Sequence, residues 1–225
     1  MPLFRKKNTD GLPGFLQNYY SLNSERTKKN VPLDKLNFVA LDLETTGLTA
    51  KDKIISVGGI KTTTTTIDLS ETIDLIVYQP GANIEKTVDI HGLVPDKLSN
   101  GLSEEEALKE CLPFIGNSII VGHNISFDIK MLNVLLGDLY EGCKIVNPVL
   151  DIALLYKRLY HFNAPYPPPP EQLSLDSLCQ VFNTDMTDRH TACGDAFITA
   201  QILLKLLSKA KQRGIDTFGQ LTDNR

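Results

Sequence analysis

The sequence feature that most constrains the fold is an unbroken apolar segment that ends in two acids and a turn. Residues 38–44 read Phe-Val-Ala-Leu-Asp-Leu-Glu and are followed by Thr-Thr-Gly. A short run that is apolar on both faces predicts a strand in the middle of a sheet that is covered on both sides. Asp42 and Glu44 are two residues apart, so their side chains leave the same face of that strand. The segment therefore predicts two neighbouring carboxylates beside a dry core.

Such a carboxylate pair has two interpretations. Two carboxylates side by side repel each other, and burying either one without a partner costs free energy. A cation between Asp42 and Glu44 would offset both costs, and oxygen-only ligands favour a hard divalent ion such as Mg²⁺ or Mn²⁺. Alternatively, both acids lie in solvent at a frayed strand end. The pair alone does not distinguish these possibilities.

The order of the other expected elements indicates an α/β fold. Two more strands, at 54–61 and 73–78, follow closely enough in sequence to predict an antiparallel meander. The remaining pattern alternates, with strands at 118–122 and near 145–146 and helices over about 103–115, 126–136, 151–160 and 191–213. The predicted architecture is a central mixed β-sheet, with three consecutive antiparallel strands, flanked by helices.

Composition excludes several other classes of protein. The 42% of apolar residues is enough for a core and excludes a disordered chain. No apolar run approaches the roughly 20 residues of a membrane span, and the basic start is not followed by the apolar segment of a secretory signal. The four cysteines are scattered without a Cys-x-x-Cys pair, which is typical of reduced thiols rather than a zinc site. We therefore expect a cytoplasmic protein with no membrane partner.

The charge is unevenly distributed along the chain. The formal net charge is −4, but residues 1–36 hold seven Lys/Arg against three acids and so carry +4. The remainder carries −8, which makes it a poor surface for long stretches of duplex nucleic acid. We expect a basic, partly helical arm over 1–36, one main domain over 37–213 and a short tail over 214–225.

Two further stretches place acidic and polar residues at helix starts. His123-Asn124-Ile125-Ser126-Phe127-Asp128 follows a buried strand, and ligand sites in α/β sheets gather at such strand ends. His190-Thr191-Ala192-Cys193-Gly194-Asp195 opens the last long helix. Five residues of helix turn by about 500°, so His190 can share a site with Asp195 only from the loop before the helix. Taken singly, a first-turn Asp and a loop His are ordinary structural features.

Together these stretches resemble a known family. Three motifs occur in the order Asp42-x-Glu44-Thr-x-Gly, Asn124-x-x-Phe127-Asp128 and His190-x-Ala-x-x-Asp195. They resemble the three exonuclease motifs of the DEDDh (proofreading-exonuclease-like) family, over about residues 37–208. Members of this family are 3′–5′ exonucleases with a ribonuclease H-like fold. The overall pattern is most similar to the epsilon (proofreading) subunits of bacterial DNA polymerase III and their free-standing relatives.

The resemblance assigns roles to five residues. By resemblance, Asp42, Glu44, Asp128 and Asp195 are metal ligands, and His190 is the general base that takes a proton from the attacking water. Two divalent cations suit phosphodiester hydrolysis because one activates the water and the other stabilises the departing 3′ oxygen. Four carboxylates supply the charge to hold them, and histidine changes its charge near neutral pH. The expected cofactors are therefore two Mg²⁺ or Mn²⁺ ions in one pocket, and a lysine or arginine head group that filled it would argue against the assignment.

The resemblance also implies contacts to the terminal nucleotide. The residues concerned are Thr45, Thr46, Gly47, Leu48, His91, Asn124 and Phe127. Gly47 would permit close approach of the backbone, and Leu48 would pack on a base. For Phe127, packing in the core is an equally open role.

Three functions remain open at this point. The first is a 3′–5′ exonuclease that releases nucleoside monophosphates from single-stranded or frayed DNA ends in proofreading or repair. The residues after Gly214 show no clamp-binding or polymerase-binding segment. A free-standing enzyme is therefore as open a possibility as one with a DNA polymerase partner. The second is an RNA exonuclease of the ribonuclease T or oligoribonuclease type, which would need a contact to the 2′-hydroxyl. The third is a non-catalytic nucleic-acid-binding module, which predicts the loss of a ligand or of the base, although none is missing.

Overall fold

Within the residues that the structure describes, the centre of the protein is a five-stranded mixed sheet. The computed structural model describes residues 9–25, 29–49, 51–80, 99–161 and 166–223. The strands are β1 (Phe38–Thr45), β2 (Ile54–Thr62), β3 (Ile67–Ile76), β4 (Ile119–Gly122) and β5 (Val149–Asp151). They lie in the order β3-β2-β1-β4-β5, in which β1, β2 and β3 are antiparallel and β4 and β5 run parallel to β1. The predicted mixed sheet with three consecutive antiparallel strands is confirmed.

Helices cover both faces of this sheet. They are α1 (Gly14–Leu22), α2 (Glu104–Ile115), α3 (Ser126–Leu139), α4 (Ile152–Tyr160), α5 (Leu175–Phe182), α6 (Ala192–Gln212) and α7 (Phe218–Thr222). Helices α1, α2 and α3 share a core with Val39 and Leu41 of β1. Helices α4 to α7 share a second core with Phe38 and Ile119 on the opposite face. The central strand is thus buried on both sides, which explains why its sequence is continuously apolar.

Local capping explains where two of these helices begin. The Ser103 hydroxyl accepts a hydrogen bond from the Glu106 backbone N–H at 3.2 Å, and the Glu106 carboxylate accepts one from the Ser103 N–H at 2.9 Å. This reciprocal pair satisfies backbone donors that have no partner within the helix, as the sequence predicts. Thr191 caps α6 in a simpler way, because its hydroxyl accepts from the Gly194 N–H at 3.1 Å.

The third strand begins earlier than predicted. It starts at Ile67 instead of residue 73, and it ends at Ile76. The segment from 67 to 72 gives little hydrophobic signal because β3 is an edge strand with most of its side chains exposed. Its backbone nevertheless pairs with β2, after a turn in which the Thr63 N–H donates to the Thr66 carbonyl at 2.9 Å.

The prediction of a strand near residues 145–146 is wrong. The Ile145 N–H donates to Asn133 Oδ1 at 2.7 Å, and the Val146 N–H donates to the Tyr19 hydroxyl at 3.0 Å. Because side chains take these backbone donors, the segment does not join the sheet. Residues Val149–Asp151 pair with β4 instead and form β5.

The N-terminal helix is part of the packed structure. In α1, Leu16 is fully buried, and the Tyr19 hydroxyl donates to Asn147 Oδ1 at 2.5 Å. The division of the chain into an arm, a main domain and a tail stays a prediction. Among the described residues, no helix combines the length and the apolar character needed to cross a bilayer.

Candidate active site

The first two acids lie where the pairing of β1 with β4 has ended. The parallel ladder joins Phe38, Val39 and Ala40 to β4 and goes no further. Asp42 and Glu44 therefore lie on a part of β1 that has a strand partner on its β2 side alone. Both side chains are half-buried on the face that α6 covers, so the predicted shared face is confirmed.

Asp128 satisfies a backbone donor that β4 does not reach. Its Oδ1 accepts a hydrogen bond from the Leu43 N–H at 3.0 Å. Leu43 lies between the two acids of β1, so this bond holds the Asp128 carboxyl group close to both of them. Asp128 belongs to the first turn of α3 and is 6% exposed. The second motif is thereby joined to the first through the backbone of the central strand.

Asp195 reaches the site because α6 begins very close to β2. A Cβ on Gly58 of β2 would lie 2.0 Å from the Ala192 carbonyl carbon, and one on Gly194 would lie 1.9 Å from the Asp188 carbonyl oxygen. A side chain at Gly58 would force the start of α6 away from β2, and one at Gly194 would displace the turn at Asp188 that precedes α6. Gly58 thus permits the approach that brings Asp195, itself 6% exposed, over the strand, and Gly194 permits the tight turn before α6.

Three of the four predicted ligands converge. Carboxyl oxygens of Asp42, Glu44 and Asp195 lie within 4.8 Å of one another. Asp128 is not part of this group of three, although it is near enough for its charge to raise the pKa of Asp42. Asp195 Oδ1 is buried and has no hydrogen-bond partner, which is rare for a buried acceptor. A divalent cation would satisfy this oxygen, so the residues present fit a hard metal ion.

The pKa values of the acids in the cluster also support a bound cation. Burial raises the pKa of Asp42 well above its ordinary value, and the charges of Asp128, Asp195 and Glu44 raise it further. Burial and the charge of Asp195 raise the pKa of Glu44 to about 7, and burial raises that of Asp128 to about 7. Without a cation, these carboxyl groups therefore resist ionisation together.

His190 occupies the loop position that the spacing requires. It lies in the turn before α6, with a backbone φ of 66° in the left-handed region, and its side chain is exposed. Burial raises the pKa of Asp195, whereas the Arg189 guanidinium and, more weakly, the backbone N–H and imidazole of His190 lower it. His190 is therefore adjacent to the acid cluster while remaining accessible to water.

Arg189 is the residue that sequence reasoning missed. Its Nη1 lies 2.5 Å from Asp195 Oδ2, and its Nε lies 2.7 Å from Asp176 Oδ1. A basic head group therefore lies at Asp195, and it would argue against the metal assignment if it filled the pocket. The ion pair with Arg189 uses Asp195 Oδ2 and leaves Asp195 Oδ1 without a partner, so the guanidinium does not fill the cluster. The neighbours of Arg189 in the sequence give no pattern that predicts these ion pairs.

The turn after β1 is held by an acid that the motif does not include. Asp52 Oδ1 accepts a hydrogen bond from the Thr46 hydroxyl at 3.1 Å, and the Thr45 hydroxyl donates to the Gly47 carbonyl at 2.6 Å. A Cβ on Gly47 would lie 2.6 Å from Asp52 Oδ1, so a side chain there would displace the carboxylate that holds the turn. Leu48 is 86% exposed at the tip of this turn.

The other residues predicted to contact the nucleotide lie in different surroundings. Asn124 is exposed with a φ of 54°, at the end of β4. Phe127 is half-buried and packs against the core beneath α3, which is the structural role left open for it. His91 lies outside the described residues.

Comparison with known proteins identifies the family. The model of the RNase T family, described as exonuclease, matches residues 39–203. The chain is 32% identical over 196 residues to a DNA polymerase III PolC-type of Bacillus subtilis (strain 168), covering 85% of this chain and 13% of the relative. It is also 32% identical over 200 residues to a DNA polymerase III subunit epsilon-like protein of Rhodobacter capsulatus, covering 87% and 27%. The chain thus spans a small part of the length of these relatives.

Solved structures share the fold. The nuclease domain of 3'hExo, described as a DEDDh family member bound to rAMP, has a TM-score of 0.65 at 16% identity and covers 80% of this chain and 94% of its own. E. coli Exonuclease I in complex with a dT13 oligonucleotide has a TM-score of 0.61 at 18% identity, covering 80% and 43%. The predicted ribonuclease H-like fold is therefore confirmed. With the family model matching most of its length, the chain belongs to the RNase T family of exonucleases.

Proposed function

We propose that this chain is a metal-dependent 3′–5′ exonuclease that releases nucleoside monophosphates from the 3′ end of DNA. The observation that carries the proposal is the convergence of the Asp42, Glu44 and Asp195 oxygens within 4.8 Å, with Asp128 bonded to the backbone between the first two. Carboxylates brought this close in a half-buried pocket need a compensating cation. A phosphodiester held by that cation is the substrate class on which an exonuclease acts.

Four carboxylates would hold the metal. In the proposed site, Asp42, Glu44, Asp128 and Asp195 bind two divalent cations, Mg²⁺ or Mn²⁺. When bound, such ions supply the charge that activates a water molecule and stabilises a departing 3′ oxygen. The ion identity and the number of ions are parts of the proposal.

His190 would act as the general base. Its exposed position in the turn before α6 is accessible to water, and it lies next to Asp195. From there the imidazole takes the proton of the attacking water. We assign the positioning of the terminal nucleotide to Thr45, Thr46, Gly47, Leu48, His91, Asn124 and Phe127. Of these, Leu48 has the most exposed apolar side chain.

DNA is favoured over RNA by the sequence relatives. Proteins at 32% identity are named as DNA polymerase III components, whereas the solved structures are at 16–18% identity and support the fold alone. A DNA polymerase is accordingly the proposed partner, and the exonuclease domain is assigned to residues 37–213. The cytoplasm is the proposed location.

The experiment is a comparison of labelled polymers. Single-stranded DNA and RNA of the same sequence, labelled at the 5′ end, are incubated with the chain in Mg²⁺, Mn²⁺ or a chelator. We expect a ladder that shortens from the 3′ end of DNA with metal and disappears with chelator. The Asp42→Asn variant serves as the matched inactive control. Cleavage at internal positions, or no cleavage of either polymer, would contradict the proposal.

RNA remains the second candidate substrate. Two structural neighbours are described with rAMP and with a histone mRNA stem-loop, but at 16% identity they support the fold alone, so RNA stays the alternative that the motifs leave open. Faster shortening of the RNA strand in the same assay would select it. A third outcome, binding of DNA without any cleavage, would select the non-catalytic module.

A further inference from the structure

Arg189 makes contacts that the proposed chemistry does not use. Its guanidinium bridges two helices, because Nε is paired with Asp176 on α5 at 2.7 Å and Nη1 is paired with Asp195 on α6 at 2.5 Å. The Arg189 side chain is 16% exposed, compared with 49% for Asp176 and 9% for Asp195. One end of the bridge is therefore inside the acid cluster, and the other end is near solvent.

The charge of Arg189 acts on the whole cluster. It lowers the pKa of Asp42, Glu44 and Asp195, in each case against the larger effect of burial. Four carboxylates carry four negative charges when ionised, and Arg189 is the basic side chain that the described ion pairs place among them. A positive charge in this position stabilises the cluster in the absence of metal. For the same reason it repels a cation that approaches Asp195.

The two oxygens of Asp195 have different partners. Oδ2 is paired with Arg189, whereas Oδ1 is buried without a hydrogen-bond partner. A metal ion can therefore bind Oδ1 first, but full use of the carboxylate requires that the guanidinium move. Asp176 offers the place to which it can move, because it already holds Nε and is more exposed.

We propose that Arg189 is an internal counter-ion of the metal site. While the cluster is free of metal, the guanidinium neutralises Asp195 and weakens the binding of a cation. When the guanidinium leaves Asp195 and stays paired with Asp176 alone, the cation can bind fully. This inference rests on the proposed binding of a divalent cation by the acid cluster. In this role Arg189 is a positioning residue, because it acts through Asp195 and does not contact the substrate.

The test is a titration of the full chain with Mn²⁺ in the absence of nucleic acid, read out by calorimetry or by the free Mn²⁺ resonance signal. In Arg189→Gln, we expect Mn²⁺ to bind about tenfold more tightly, because one partly screened positive charge near the ion has been removed. The same variant should unfold at a lower temperature in chelator, since the cluster has lost its counter-ion. A purely structural arginine predicts the second effect without the first.

Two further variants provide the comparison. In Asp176→Asn, we expect Mn²⁺ binding to weaken by about two- to threefold, because the guanidinium has lost its alternative partner. Arg158→Gln is the matched control, since Arg158 is a partly buried arginine that donates to the Leu221 and Gln220 carbonyls instead of pairing with one of the four acids. This control should lower the unfolding temperature and leave Mn²⁺ binding unchanged.

The outcomes separate this inference from the proposed function. If the parent chain binds Mn²⁺ and Arg189→Gln binds it no more tightly, Arg189 is structural and the inference is overturned while the metal site stands. If Arg189→Gln does not fold, unchanged or tighter binding in Asp176→Asn overturns the inference instead. If the parent chain shows no Mn²⁺ binding at all, the metal site itself fails, and with it both proposals.

Discussion

The two halves of β1 are adjacent in sequence and opposite in character. In Phe38–Leu41, every side chain is at most 1% exposed, and the backbone is paired with β2 on one side and with β4 over the first three residues. In Asp42–Thr45, pairing continues with β2 alone, and two half-buried carboxylates have raised pKa values. The first half stabilises the fold, and the second half reduces its stability when no cation is present. The comparison teaches that the site is built where the ladder ends, because only there can groups from α3 and α6 reach the strand.

The sharpest way to test this contrast is Asp42→Asn. We expect exonuclease activity to fall by at least about 10³-fold, because the several kcal/mol of charge stabilisation that a bound metal supplies are lost. We also expect the variant to be more stable than the parent in chelator, since a neutral amide relieves the repulsion among the acids. Activity on labelled DNA and thermal unfolding with EDTA are the two measurements. Reduced stability would show that repulsion among the acids does not destabilise the second half of β1.

His190→Gln tests whether catalysis can be reduced without changing the stability of the protein. We expect a loss of about 10²–10³ in kcat, within the range of general base catalysis. Because His190 is exposed in a turn, stability in chelator should be unchanged. Single-turnover rates and thermal unfolding measure the two effects. Parental activity in this variant would remove the role assigned to His190.

Phe38→Ala makes the corresponding change in the first half of β1. Phe38 is fully buried in the second core, so its truncation should lower the free energy of unfolding by about 3–5 kcal/mol. Activity per folded molecule should remain at the parental level at low temperature. Denaturant titration measures the stability, and an activity loss as large as that of Asp42→Asn would show that the two halves are not independent.

The smallest expected effect is a dependence of stability on pH. The pKa values of Glu44 and Asp128 are raised to about 7 in the folded protein, above their ordinary values of 4.5 and 3.8. Between these limits the folded state binds more protons than the unfolded state, so stability falls as pH rises toward and through 7.

In chelator we therefore expect a melting temperature at least about 2–4 °C higher near pH 5.5 than near pH 8, as about 1 kcal/mol would produce. Saturating Mn²⁺ should remove this trend, because a cation favours the ionised carboxylates. Asp42→Asn provides the control, with a weaker dependence expected. A melting temperature that rises with pH in chelator would contradict the raised pKa values.

The sequence predicted the helices and strands that are determined by residues close together in the chain. The capping pattern from Ser103 to Glu106 located the start of α2, and the apolar run from Phe38 located β1. The edge strand β3 began earlier than its hydrophobic pattern, because an edge strand is held by backbone pairing more than by buried side chains. The expected strand near Ile145 failed because Asn133, from α3, takes its backbone donor.

The residues of the candidate site fall into two similar groups: local geometry predicted the positions of some, and only the tertiary structure placed the others. The motif spacing placed Asp42 and Glu44 on one face and required His190 to lie before α6, since both conclusions follow from the geometry of one element. The bond from Leu43 to Asp128, by contrast, depends on where β4 ends. The role of Arg189 depends on how α5 and α6 approach each other, for which its own neighbours in sequence give no pattern.

The sequence by itself thus determined the fold class, the order of the motifs and the identity of the acids, because strand and helix periods are properties of short segments. Only the tertiary structure decided that three acids meet while Asp128 lies beside them, and that an arginine pairs with Asp195. The physical reason is that charge interactions depend on distances between residues far apart in the chain. Close packing of α6 on Gly58 of β2 brings Asp195 within reach of the strand, and only the folded chain brings these two segments together.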